Sequence, residues 1–129
     1  MVLTVLLLGC GKEREERDKV LAAIDRLQEA PARDHAGRRA LAQELLGVAV
    51  ETPAAVRARD ACGNAYVKLA ESNQLSEALE KELADASKKS DPADLVKRLE
   101  ESENLIKEAE PLLATCMAAK GDLVAAVGR

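Results

Sequence analysis

One aromatic ring, that of Tyr66, is all that this 129-residue chain has to fill a core. Sheets pack on aromatic and β-branched residues, and the chain supplies Ala (24) and Leu (19) instead, with Gly and Pro together at 11. That composition fits one domain's worth of helix. The fold class expected is all-α, a small antiparallel helical bundle of about four helices. The same scarcity removes functions: with no Trp, no Phe and a single His, there is little material for base stacking, an aromatic cofactor cage or imidazole chemistry. A net charge of −4 argues against a nucleic-acid partner.

Apolar positions recur at helical spacing, and caps punctuate them. Helix one is expected from about Lys12 to Ala30, with Val20, Leu21, Ile24 and Leu27 inward, the pairs Glu13–Arg17 and Glu15–Lys19 outward, and Pro31 as the stop. Helix two runs about Arg33 to Val50 on Leu41, Leu45 and Val48. Thr52-Pro53 reads as an N-cap with a first-turn proline. Helix three then continues to about Lys89, presenting Val56, Cys62, Tyr66, Leu69, Ser76, Leu79 and Leu83. Ser90-Asp91-Pro92 repeats the cap, with Asp94 in the first turn. Helix four turns Leu95, Leu99, Leu105, Ile106, Leu112, Leu113 and Cys116 inward and Glu103 and Lys107 outward. Pro111 predicts a kink or break near Ala109. Lys120-Gly121 predicts a helix end, with Leu123, Val124 and Val127 in a last turn folded back on the bundle.

Helices three and four should form a long antiparallel hairpin. A turn at 90–91 makes facing residue numbers sum to about 181, pairing Leu69 with Leu112, Leu83 with Leu99 and Ser76 with Leu105. Cys62 and Cys116 miss that register by three residues, about 4.5 Å of helix rise, close enough for a disulfide after modest sliding. The bond would close a long loop and contribute roughly 4 kcal/mol in the chain-entropy model; the alternative is two small buried thiols. Gly63, beside Cys62, lets the two helices approach closely. Tyr66 should cover the disulfide region, and Ser76 either sets helix register, marks a contact with another chain, or is exposed by a small shift of phase.

At the N-terminus, Val2 to Leu8 are uncharged and almost wholly apolar, and they stop at Gly9-Cys10-Gly11 before the charged run Lys12 to Arg17. Seven residues cannot span a bilayer core, which takes about 20 as a helix, but they suit the apolar region of a signal peptide. Leu7-Leu8-Gly9-Cys10 resembles the lipobox of bacterial lipoproteins. The resemblance implies that residues 1–9 are a removed signal peptide and that Cys10 is the lipidated first residue of the mature chain. With that start the helical reading makes 10–129 a single helical domain, with 10–18 a short tether merging into helix one. No Lys or Arg precedes the run, where such signals ordinarily begin with a basic region. One acyl chain binds a membrane only marginally and stable anchoring takes two or more, a number that the lipid of this family supplies. Gly11, where an Asp retains such proteins at the inner membrane, leans the localisation toward the outer membrane on the periplasmic side. Read without the resemblance, Val2 to Leu8 is a buried strand or helix start and Cys10 a core thiol. Gly9-Cys10-Gly11-Lys12 is also similar to the end of a phosphate-binding loop, but Leu6 and Glu13 stand where that loop needs Gly and Ser or Thr.

Elsewhere the residues do not assemble a reaction. His35 lies in the polar stretch Ala32 to Arg39 and reads as solvated; Arg38 and Arg39 are too few for a basic patch. The cysteines lack CxxC spacing. The acids Glu100, Glu101, Glu103, Glu108 and Glu110 lack the Glu-x-x-His pattern of carboxylate-bridged metal bundles. Neither a cofactor, a metal nor a small-molecule substrate is expected. The functional expectation is a non-enzymatic binding, adaptor or structural role in the bacterial envelope, with the membrane and an envelope protein as partners. Two rivals stand beside it: a cytosolic helical adaptor with reduced cysteines, and a small helical-bundle enzyme or cofactor protein.

Overall fold

A computed structural model describes residues 2–127 apart from 86 and 88, with side chains from Gly11 to Ala126. Among the described residues every regular element is a helix: α1 (Val2–Glu29), α2 (His35–Leu46), α3 (Pro53–Ala84) and α4 (Pro92–Val127). They form the expected all-α bundle, up-down-up-down, with α3 and α4 packed along each other as a hairpin. Each start has a local cause. The Asp34 carboxylate accepts from the Gly37 amide at 3.0 Å ahead of α2. Pro53 opens α3 behind an extended Thr52, and the Asp91 carboxylate accepts from Ala93 N at 3.2 Å ahead of α4.

The core gathers Val20, Ala23, Ile24 and Leu27 of α1, Ala42 and Leu45 of α2, Ala55, Ala58, Cys62 and Ala65 of α3, and Cys116, Ala119 and Leu123 of α4. Small side chains let the backbones close in. A methyl group on Gly63 would stand 2.5 Å from Leu46 Cγ, so the close approach made there is to α2, where α4 was expected.

Four helix ends differ from expectation. α2 stops at Leu46, four residues before Val50, with Gly47 as its C-cap, so Val48 packs against the core from beyond the helix. α3 stops at Ala84, five residues before Lys89, because the Asp85 side chain accepts from the Ser87 amide at 3.0 Å and its hydroxyl at 2.6 Å, turning the chain away. α4 runs unbroken through Pro111. Proline deletes one N–H and frees the carbonyl four residues back, on Lys107; both residues are exposed, so water can take that carbonyl. Burial of Ala109 on one side and Cys116 on the other opposes a break. α4 also passes Gly121 and brings Leu123 into the core as part of the same helix, with no separate last turn. At the other end, α1 begins at Val2, ahead of Lys12.

The early end of α3 resets the hairpin. Ala84 and Pro92 flank the loop with numbers summing to 176, so facing pairs fall near that value, below the expected 181. Leu83 and Leu99, the expected inward pair, are therefore 69% and 52% exposed.

Candidate functional site

The corrected register brings Cys62 and Cys116 together. Their Cα atoms are 4.5 Å apart and their sulfurs are joined in a disulfide, both residues fully buried. The pair sums to 178, nearer the loop-centred value than to the register expected from a turn at 90–91. Tyr66 packs half-buried against the core that holds the disulfide, and its hydroxyl accepts from Gln28 Nε2 at 3.3 Å.

Further along the same seam the two helices are fastened by hydroxyls. Ser72 Oγ donates to the Ser102 carbonyl at 2.9 Å, and Ser102 Oγ donates back to the Ser72 carbonyl at 3.2 Å. Ser76 Oγ lies 2.6 Å from Ser102 Oγ, a hydrogen bond that either hydroxyl can donate. Each such bond contributes about 1 kcal/mol net, and together they give Ser76 the register-setting role considered from the sequence. Ser102 was not singled out there. It stands among Glu100, Glu101 and Glu103, and its signal is the seven-residue interval it shares with Leu95, Ala109, Cys116 and Leu123.

At the other end of the bundle, α1 is docked by a buried carboxylate. Glu16 accepts from the Glu51 amide and, at 3.2 Å, from the Thr52 amide, with Lys12 bonded to Glu51 beside it. Burial alone would raise the Glu16 carboxyl. The Glu51 and Thr52 amides and the nearby Lys12 charge outweigh it and hold the group below its ordinary range. Of the solvent-side pairs expected on α1, Glu15–Lys19 forms at 3.2 Å, whereas Arg17 pairs with Asp18 in place of Glu13. Cys10, the expected lipidation site, falls within α1, and its side chain lies outside the described residues.

His35 departs from its expected solvated position. Its side chain is 18% exposed against α3, with Nε2 3.6 Å from Glu77 and Nδ1 buried without a hydrogen-bond partner. Arg39 is likewise drawn onto α3, 3.1 Å from Glu71. Near them lies a cleft of about 510 Å³ lined by Arg33, His35, Asn73, Ser76, Glu77 and Glu80. The Ser76 hydroxyl is engaged by Ser102, and Glu77 also carries Lys81 at 3.0 Å. Lys81 holds the Glu77 carboxyl below its ordinary range. Among the described residues no group of three or more His, Cys, Asp or Glu is placed to hold a metal ion, and no helix is long and apolar enough to cross a membrane.

No protein-family model matches the chain, and neither a curated protein nor a solved structure shows significant similarity to it.

Proposed function

We propose that this protein is a bacterial lipoprotein: a helical bundle anchored through lipid on Cys10 to the periplasmic side of the cell envelope, with a non-enzymatic binding, adaptor or structural role. The observation that carries the proposal is Leu7-Leu8-Gly9-Cys10, set where an apolar run gives way to Lys12-Glu13-Arg14. A second observation, independent of the first, supports the compartment. Exported proteins keep disulfides and cytosolic ones generally do not, and Cys62 and Cys116 are paired in the core. The count of three cysteines then divides into one for lipid and two for the cross-link. Gly11 after Cys10 favours the outer membrane.

The non-enzymatic part draws on where the reactive side chains are engaged. Ser72, Ser76 and Ser102 bond one another across the hairpin, and the His35 ring is packed between α2 and α3. The partner is then a protein of the envelope, met by exposed helix faces.

Intact-mass measurement on protein extracted from membranes tests the anchor: loss of Met1 to Gly9 with added acyl mass is the expected result. Cys10→Ala should move the protein from the membrane to the soluble fraction. An unprocessed chain starting at Met1 with free thiols at Cys62 and Cys116 would overturn the reading in favour of a cytosolic adaptor.

A further inference from the structure

Six residues separate Cys10 from a fixed point in the fold. Glu16 is 5% exposed and accepts from the Glu51 and Thr52 amides, and Lys12, on the way to it, is bonded to Glu51. Coiled in α1, those six residues span about 9 Å; fully drawn out, they span no more than about 20 Å. The order of the helices gathers the start of α1, the 47–52 connection and the end of α4 at this end of the bundle. α3 leaves from the clamp at Thr52 and runs 32 residues, about 48 Å, toward the loop at 85–91. Charge is divided along the same axis. The loop half consists of residues 69–110 together with 30–41, which His35 and Arg39 hold against Glu77 and Glu71. It carries 13 Asp and Glu against 9 Lys and Arg, whereas the rest of the chain carries 10 of each. The half next to Cys10 is therefore neutral, and the whole net charge of −4 lies away from it.

We propose that the neutral end of the bundle, around Glu51, Pro53 and Asp122, rests on an anionic phospholipid surface, and that the hairpin stands outward from it with the 85–91 loop roughly 50 Å away. The inference rests on lipidation of Cys10, as proposed above, and adds which way the bundle faces. Acyl chains hold Cys10 at the bilayer surface. A leash of about 9 to 20 Å then keeps the Glu16 clamp close to that surface, where a longer one would let the bundle drift and turn. Charge supplies the direction. Laid flat, the bundle would bring the excess of four negative charges in its loop half within the roughly 8 Å over which exposed charges act at physiological salt. Upright, only the neutral end comes that near. Whatever the bundle binds is then met within about one hairpin length of its own membrane.

The test uses the acylated chain, its mass verified after extraction, in vesicles of phosphatidylglycerol and phosphatidylcholine with a nitroxide on some headgroups. Ala125→Cys and Ala93→Cys, both exposed and both on α4, take a fluorophore at the two ends of the hairpin, about 48 Å apart. The dye at position 125 should be quenched several-fold more than the dye at position 93. A linker of about 20 Gly and Ser residues between Gly11 and Lys12 adds roughly 25 Å of slack and should remove most of that difference. Glu100→Lys with Glu101→Lys brings the loop half to zero net charge and should raise quenching at position 93 several-fold. Both sites are exposed, so circular dichroism should be unchanged. Strong quenching at both positions of the parent, or weak quenching at both, would overturn the proposal while the acylated mass leaves the lipoprotein reading intact. A difference that survives the linker, or quenching at position 93 indifferent to the two substitutions, would do the same. A chain without acyl mass would instead sink the lipoprotein reading itself, before any vesicle is made.

Discussion

The two ends of the α3–α4 hairpin are built from different materials. At the end where α3 begins and α4 finishes, α1 packs on both helices and α2 on α3, large aliphatic residues such as Ile24, Leu27, Leu45 and Leu123 are buried, and a disulfide ties the helices covalently. Toward the loop at 85–91, the buried set shrinks to Ala70, Ser72, Leu79, Ser102 and Ala109, while Leu83, Val96 and Leu99 face solvent. The loop end is held instead by hydroxyls and by Glu82, which takes the Ser90 hydroxyl at 2.6 Å and the Arg98 guanidinium at 2.6 Å. One end derives stability from buried area. The other derives register from directional bonds, each a modest net contribution.

The contrast can be broken most forcefully at the disulfide. Replacing Cys62 and Cys116 together by Ser frees a 54-residue loop and should cost about 4 kcal/mol. A fall in thermal midpoint of roughly 15 °C on that scale is what calorimetry should read. Truncation in the core comes next. Ile24→Ala should lose about 3 kcal/mol in denaturant titration, against under about 0.5 kcal/mol for Leu99→Ala at the exposed end. Equal losses at the two sites would erase the distinction.

Glu16 sharpens it through pH. Glu16→Ala strands the amides of Glu51 and Thr52 and should cost about 2 kcal/mol. Its carboxyl titrates lower in the folded chain than the ordinary 4.5. The stability it contributes is therefore present in full above that value and is lost as pH falls through the folded one. Urea titrations from neutral pH down to about pH 3 should show that component in the parent and its absence in Glu16→Gln. The smallest effect belongs to the hydroxyl end: Ser102→Ala removes one donor and one acceptor and should cost about 1 kcal/mol. Faster amide exchange from Ser72 to Ala84 should accompany it, with the disulfide end unchanged.

Three of the four helix starts were legible because their chemistry is local. Asp34, Pro53 and the Asp91-Pro92 pair act within one turn, and all three opened helices within two residues of the expected places. The end of α3 was not. Asp85 and Ser87 turn the chain without Gly or Pro, and nothing in their spacing distinguishes an Asp that turns from one that stays on a helix face. From that single misplaced end followed the wrong pairing of Leu83 with Leu99. The cysteine pairing survived because a disulfide sits on the same seam under either register. Pro111 and Gly121 misled in the opposite sense, each a breaker by propensity within a helix that buries Ala109, Cys116 and Leu123. His35 was misplaced because its fate depends on α3, about 40 residues away along the chain.

Composition and period by themselves determined that this chain is helical, because Ala and Leu with one aromatic leave no other way to fill an interior, and that α3 and α4 run antiparallel. Which faces met was decided in three dimensions. A shift of a few residues between two helices alters no local preference but exchanges every contact along the seam. Only the fit of Ser72, Ser102 and the two cysteines selects among such shifts, and it leaves Val96, Leu99 and Ile106 of α4 exposed.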